Sequence, residues 1–128
     1  MNIKDFDELQ YKNNREQIAI DFDKVIHKSS KSFYDGTIYD EPIDGVDEAL
    51  EKISRDYKII IHTCKANPDR PLVDGKTGVE LVWEWLKKYE LHKYVTDIMY
   101  GKPNAKYYID DKGIRFTSWS QTLKDIYE

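Results

Sequence analysis

Four short apolar segments along the chain are typical of β-strands. They cover residues 17–21, 57–63, 94–100 and 106–110. The first two are continuous apolar runs rather than alternating ones, a pattern typical of strands covered on both faces, as in a parallel sheet. We therefore expect these segments to form one largely buried parallel sheet.

Three segments with helical spacing lie between or after these strands. They cover residues 45–57, 77–90 and 118–127. In the first, Val46, Leu50 and Ile53 share one face, and Asp44 is a plausible N-cap. Thr77 is a possible N-cap of the second. Strands that alternate with helices predict an α/β fold with right-handed crossovers.

Two long segments interrupt this alternation. Residues 24–43 contain "YDGT", a tight-turn signal, and predict a β-hairpin that projects over the sheet edge. Residues 64–77 are a polar loop with two prolines. The predicted organisation is an N-terminal extension over residues 1–16 and a single domain over residues 17–128.

Composition and charge narrow the class of protein. The chain has 128 residues, of which 40% are hydrophobic and 34% charged, so one compact domain is expected rather than a disordered chain. A net charge of -4 argues against a strongly basic nucleic-acid-binding module. No apolar run reaches membrane-spanning length, so no membrane partner is expected. The single cysteine, Cys64, allows no internal disulfide and favours a reducing, cytoplasmic location.

Unusual polar residues stand at the carboxyl end of each predicted strand. In an open parallel sheet, ligands bind outside these ends. Four separated pieces of sequence should therefore meet at one place. The residues concerned are Asp21, Asp23, Thr63, Lys102, Asp110 and Asp111.

This set of residues suits phosphoryl transfer. Carboxylates close together repel unless a cation is present, and oxygen ligands without a His or Cys cluster favour Mg²⁺. Asp21 and Asp110 would bind the metal, and Asp23 could transfer protons. Thr63 and Lys102 could hold an anionic group of oxygens. Together these are the parts that phosphoryl transfer through an aspartyl-phosphate requires.

The four segments resemble the motifs of the haloacid dehalogenase (HAD) superfamily of phosphotransferases. The run "DFDKV" from Asp21 matches the first motif, DxDx(T/V), and Thr63 after "IIIH" matches the second. Lys102 matches the third motif, and the Asp110-Asp111 pair after "YYI" matches the fourth. The resemblance covers about residues 17 to 116, and it implies a three-layer α/β/α fold with a Rossmann-like parallel sheet.

The resemblance also implies a role for each matching residue. Asp21 attacks phosphorus, while Asp23 protonates the leaving oxygen, then activates water, and binds the metal through its backbone carbonyl. Asp110 binds Mg²⁺. The remaining implied roles are phosphoryl binding by Thr63, by Lys102 and by the backbone amide of Cys64, and support of the site by Asp111 without direct contact to the metal. The second acid, Asp23, is absent from the family's dehalogenases and favours a phosphatase or phosphomutase.

Two features distinguish this chain within the family pattern: the residue after the second acid and the short intervals between motifs. The residue after the second acid is often glycine in the family, and here it is Lys24, which could reach the substrate or point to solvent. Cap modules of the family insert after the first motif or between the second and third. Both intervals are too short here for a domain, so the resemblance implies a small, capless enzyme with an open site.

The substrate class stays open between several alternatives. Small phosphorylated metabolites, such as nucleotides or sugar phosphates, are the first expectation. A phosphatase that acts on nucleic-acid ends is the alternative enzyme, with Lys24, Lys28 and Lys31 near the neighbouring phosphates. Basic residues in both long loops could recruit a substrate with more than one negative charge or could simply be solvated; they are Lys24, Lys28 and Lys31 in one loop and Lys65, Arg70 and Lys76 in the other. Lys24 and Lys65 are the possible substrate-binding residues. A third alternative is a non-catalytic protein that binds a phosphorylated ligand. Lys106 competes with Lys102 as the phosphate-binding lysine, and the three histidines are expected to be structural.

Overall fold

The computed structural model describes residues 15–30, 37–110 and 114–127. Its centre is a five-stranded sheet in which every pairing is parallel. The strands are β1 (Gln17–Asp21), β2 (Lys58–His62), β3 (Asp97–Met99), β4 (Tyr107–Asp110) and β5 (Ile114–Arg115). Three helices complete the fold: α1 (Val46–Asp56), α2 (Gly78–Lys88) and α3 (Trp119–Tyr127).

The sheet confirms the predicted α/β class. All four predicted strands are present, and the first has the predicted bounds. The fifth strand, β5, was not predicted because two residues leave no periodic signal. Two single turns of 3₁₀ helix, Cys64–Ala66 and His92–Tyr94, were also not predicted.

Both faces of the central strands are buried, as their continuous apolar runs predicted. Ile18 and Ile20 of β1 point to one face, where they join one core cluster with buried residues of all three helices. Ala19 points to the other face and is also fully buried. The parallel sheet is therefore covered on both sides of β1, while the three-layer stacking remains a prediction.

The two predicted helix caps have different outcomes. The Thr77 hydroxyl accepts a hydrogen bond from the Glu80 amide, and the Glu80 carboxylate accepts one from the Thr77 amide, so the predicted cap forms a full capping box. Asp44 was wrong as the cap of α1. Gly45 occupies that position with φ of 86°, and α1 begins without a side-chain cap. Glycine reaches this left-handed conformation without strain.

The chain between β1 and α1 folds back on itself in the described residues. An antiparallel bridge joins His27 to Pro42, and the Lys28 amide donates to the Glu41 carbonyl at 3.0 Å. In the described part of this segment these contacts form one isolated bridge and no strands, so the predicted β-hairpin remains a prediction. Its tip, residues 31–36, lies outside the described residues, as do residues 1–14 of the predicted extension. Among the helices that are described, none is long and apolar enough to cross a membrane.

The backbone at residue 24 explains why glycine would suit the position. Lys24 has φ of 68°, and its amide donates to the His27 carbonyl at 2.7 Å. A side chain in this left-handed region costs roughly 1–2 kcal/mol, which glycine does not incur. The backbone at Lys24 is therefore strained, and the side chain is exposed.

We expect Lys24→Gly to raise the free energy of unfolding by about 1 kcal/mol. Urea denaturation at neutral pH measures the change. Lys24→Ala is the matched control, since it removes the same charge but keeps a Cβ, and it should leave the stability nearly unchanged. Equal stabilisation by both variants would attribute the effect to charge instead of backbone strain.

Candidate active site

Phe22 separates the two acids of the first motif and orients both. Its ring is fully buried, stacks on His27 and meets Trp85 edge-on at 5.2 Å between ring centroids. Its carbonyl oxygen accepts hydrogen bonds from the amides of three following residues, which closes a sharp turn directly after β1. With Phe22 anchored in the core, Asp21 and Asp23 are left to line the same cleft.

Asp21, His62 and Asp110 occupy neighbouring positions at the carboxyl edge of the sheet. Asp21 pairs with His62 of β2 in register. On the other side of β1, Ile20 pairs with Ile109 of β4, so Asp110 is the next position beside Asp21. From β1 the chain adds β2 and β3 on one side of the sheet and β4 and β5 on the other, so the order of strand addition reverses between β1 and β4. Ligands of open parallel sheets bind at such a reversal.

Asp110 is a buried carboxylate with a lysine against it. The Nζ of Lys102 lies 2.6 Å from its Oδ2, and the Nε2 of His62 lies 3.8 Å from the same oxygen. Burial lowers the pKa of His62; the charge of Asp110 raises it, and that of Lys102 lowers it further. The net direction is downward, so His62 is a neutral imidazole at pH 7.

The competing lysine, Lys106, lies elsewhere. It directly precedes β4, at the amino end of the strand, and its Nζ pairs with Glu16 at 3.2 Å. Because parallel strands carry Asp21 and Asp110 to the opposite edge, Lys106 is remote from these acids. Of the two lysines, the structure brings Lys102 to the acids.

Asp23 is held by a network that the sequence did not reveal. Its Oδ1 accepts from the Nδ1 of His27 and from the hydroxyl of Ser29, both at 2.9 Å. Its Oδ2 accepts from the Nζ of Lys65 at 2.9 Å. The Asp40 amide donates to the Nε2 of His27 at 3.0 Å, so that nitrogen is unprotonated. The Nδ1 of His27 therefore carries the proton that is directed at Asp23.

These contacts hold Asp23 in its charged form. Burial raises the pKa of its carboxyl, but the hydrogen bonds from His27 and Lys65, the charge of Lys65 and the bond from Ser29 all lower it. The combined effect brings the pKa from 3.8 to about 2. Lys65 is the one charged group among these partners, so the state of Asp23 depends on where this lysine lies.

The segment after β2 places Lys65 beside Asp23. The hydroxyl of Thr63 accepts from the Lys65 amide at 3.2 Å and caps the 3₁₀ turn Cys64–Ala66. The first residue of α2, Gly78, packs against this turn so closely that a Cβ would overlap the Lys65 carbonyl oxygen. Lys65 is consequently almost fully buried.

Two adjoining recesses form a cleft over these residues. The acid recess has a volume of about 490 Å³ and the loop recess about 590 Å³. Both are lined by Asp21, Thr63, Cys64 and Tyr100. The acid recess adds His62, Gly101, Lys102 and Asp110, and the loop recess adds Asp23, Lys65, Asn67 and Arg70.

The cleft brings together most of the predicted site residues. Asp21, Asp23, Thr63, Cys64, Lys65, Lys102 and Asp110 all line it. The exposed Lys24 is not among the residues lining the two recesses, and Asp111 lies outside the described residues. Sequence reasoning missed four residues at or beside the cleft. Two are histidines that were taken as structural, His27 and His62, and the others are Ser29 and Tyr100. A histidine four residues after a motif acid was the available signal for His27.

A hydrated Mg²⁺ is compatible with the donors present. Mg²⁺ commonly keeps several waters and is bound through one or two carboxylates, which Asp21 and Asp110 offer on neighbouring strands. Within the described ranges no group of three or more His, Cys, Asp or Glu side chains forms a metal site, and the Asp23 carboxylate is bonded to Lys65 and His27 instead. A Mg²⁺ ion at Asp110 would lie near the Lys102 ammonium on Oδ2, and the two cations would repel one another.

Comparison with known proteins identifies no relative: no protein-family model, no curated protein and no solved structure matches this chain. The resemblance to the HAD superfamily therefore depends on the four sequence segments alone.

Acid should remove the stabilising effect of the Asp23 network. The pKa of the Asp23 carboxyl is 3.8 in the unfolded chain and about 2 in the folded one. The network therefore stabilises the fold above about pH 4, and this contribution is lost as the pH falls toward 2. We expect Asp23→Asn to cost on the order of 2 kcal/mol near neutral pH.

Urea denaturation of both proteins between about pH 6 and pH 2.5 measures this difference. The gap between wild type and Asp23→Asn should narrow below about pH 4. Asp40, whose pKa is also lowered to about 2, titrates in both proteins and cancels in the comparison. A gap that stays constant across the range would show that Asp23 is not held as a carboxylate by Lys65 and His27.

Proposed function

We propose that this chain is a HAD-type, Mg²⁺-dependent phosphomonoesterase that acts through an aspartyl-phosphate on small phosphorylated metabolites. One observation carries the proposal. Side chains from four separated segments line a single cleft where the strand order reverses, and they include three motif acids, a hydroxyl and two lysines. That combination supplies a nucleophile, a proton carrier and a cationic binding site for phosphate.

Asp21 is the proposed nucleophile. One of its carboxylate oxygens attacks phosphorus, and the bond from phosphorus to the substrate's leaving oxygen breaks. The Thr63 hydroxyl, the Cys64 amide and the Lys102 ammonium bind the phosphoryl oxygens and stabilise the charge that builds up there. Mg²⁺, held by Asp21, Asp110 and the Asp23 carbonyl, would neutralise phosphoryl charge and align the group for attack.

Asp23 is the proposed proton carrier, and Lys65 controls it. While Lys65 is bonded to Asp23, the low pKa leaves no proton to donate. A substrate phosphate offers Lys65 a second anionic partner, and movement of the lysine toward it lets Asp23 take up a proton. Asp23 then protonates the leaving oxygen. In the second step Asp23 accepts a proton from the water that attacks phosphorus. The bond between phosphorus and the Asp21 oxygen breaks, which restores the Asp21 carboxylate and releases inorganic phosphate.

The remaining family features belong to the same proposal. They are three-layer α/β/α stacking, a hairpin flap after β1 and an open site without a cap domain. The proposed setting is the reducing cytoplasm, where an exposed thiol such as Cys64 stays unoxidised.

The contacts of Lys28 weaken the nucleic-acid alternative. Its Nζ lies 2.5 Å from a carboxylate oxygen of Glu41, and this bond raises the lysine pKa. The charge expected to recruit neighbouring phosphates is thus already paired, while Lys31 lies outside the described residues. The non-catalytic alternative is disfavoured because a binding protein needs neither the nucleophile Asp21 nor the proton carrier Asp23.

Asp21→Asn should abolish turnover while the fold remains intact. An amide is a poor nucleophile, so we expect a loss of at least about a thousandfold in kcat, or about 4 kcal/mol in barrier. A screen of nucleotide and sugar phosphates with Mg²⁺ supplies the assay.

Asp97→Asn is the matched control, since Asp97, like Asp21, accepts a hydrogen bond from the next amide at 2.8 Å but stands at the amino end of its strand. It should keep near-normal turnover. Retention of activity by Asp21→Asn would rule out covalent catalysis by this residue.

Turnover should also require Mg²⁺. Excess chelator should abolish activity and leave the unfolding midpoint almost unchanged, because a cation held by two carboxylates and water is not a structural staple. Added Mg²⁺ should restore activity, whereas Ca²⁺ should inhibit because its larger, looser ligand sphere misaligns the phosphoryl group. Full activity in chelator would contradict the metal assignment.

A further inference from the structure

Tyr100 is an exposed aromatic residue at the boundary between the two recesses. Its side chain is 56% exposed and lines both of them. Leu72 and Tyr127 are the other exposed large apolar residues in the described part of the chain, and neither lines the cleft. An exposed ring at the edge of a polar cleft offers a flat surface on which a second ring can stack.

The position of Tyr100 sets how far such a ring would lie from the reacting phosphorus. Asp21 pairs with His62, and His62 pairs with Met99, the residue before Tyr100. Two strand spacings therefore separate Asp21 from Met99, about 10 Å along the sheet edge. A backbone separation of this size leaves room between Asp21 and Tyr100 for a phosphate and for the sugar that joins it to a ring.

The loop recess also carries hydrogen-bond donors. Arg70 is half-buried there, and its guanidinium is charged at every physiological pH. Asn67 uses its Oδ1 to accept from the Asp69 amide at 2.9 Å, which leaves its NH₂ group directed to other partners. Such donors match the acceptor-rich edge of a nucleobase.

From these observations we propose that the substrate is a nucleoside 5′-monophosphate, whose base stacks on Tyr100 in the loop recess while its phosphate lies at Asp21. This inference rests on the proposed phosphatase activity, and it chooses among the substrates of that activity. A sugar phosphate would leave Tyr100 and Arg70 unused. An aryl phosphate lacks the sugar that separates ring and phosphate in a nucleotide, and its ring presents no acceptor-rich edge to Arg70.

The test compares kcat/KM for adenosine 5′-monophosphate, ribose 5-phosphate and phenyl phosphate with Mg²⁺ present. The wild type should prefer the nucleotide over ribose 5-phosphate by at least about fivefold, the lower end of what base–aromatic stacking supplies. Tyr100→Ala should bring this ratio close to one, and Tyr100→Phe should retain it. Leu72→Ala, the control at an exposed site outside the cleft, should also retain it.

A binding measurement separates this inference from the proposed activity. Calorimetry with adenosine 5′-monophosphate in excess chelator detects the base-binding recess without turnover. Binding that Tyr100→Ala weakens, in a protein with no phosphatase activity, would support the recess and overturn the activity. Turnover without a preference for the nucleotide would overturn the nucleobase-binding assignment alone. A kcat/KM ratio of nucleotide to ribose 5-phosphate that Tyr100→Ala leaves unchanged would do the same. Much faster turnover of a 5′-phosphorylated oligonucleotide than of the mononucleotide would also overturn the mononucleotide as substrate.

Discussion

Charge balance at the carboxyl edge of the sheet is the constraint on which the site depends. Parallel pairing carries Asp21 and Asp110 to neighbouring strand ends, about 5 Å apart in backbone terms, and Asp23 follows two residues later. Carboxylates this close raise one another's pKa values unless positive charge is present. Two lysines from separate loops supply that charge: Lys102 contacts Asp110, and Lys65 contacts Asp23.

Under the proposed function, these two ion pairs would be the resting state of the site, which substrate and metal would rearrange. Each lysine holds a carboxylate now and faces a cleft large enough for a phosphorylated metabolite. In the proposed cycle Lys102 exchanges Asp110 for phosphoryl oxygens as Mg²⁺ binds, and Lys65 releases Asp23. His27 and Ser29 stay in place throughout and keep Asp23 oriented. Gly78 fixes the turn that carries Lys65, so helix packing some distance from the chemistry contributes to the position of this lysine.

Sequence patterns predicted the features that local periodicity and strand ends encode. The run "QIAID" predicted β1 with its correct bounds, and the strand-end rule predicted that Asp21, Thr63, Lys102 and Asp110 would meet. Contacts between distant segments were beyond such patterns. His27 bonds Asp23 through Nδ1, while its other ring nitrogen accepts from the Asp40 amide thirteen residues later. Tyr100 enters the cleft only because β3 pairs with β2. Asp44 failed as a cap because the backbone conformation of Gly45, rather than a side chain, starts α1.

The formation of a phosphoryl group on Asp21 tests the central claim most directly. The protein is incubated with Mg²⁺ and a radiolabelled phosphate ester that it hydrolyses, quenched in acid during turnover, and cleaved into peptides. Label should appear on the peptide that contains Asp21 and should be released by hydroxylamine, as an acyl phosphate requires. Hydrolysis that proceeds while this peptide remains unlabelled at every quench time, including times within the first turnover, would contradict the account.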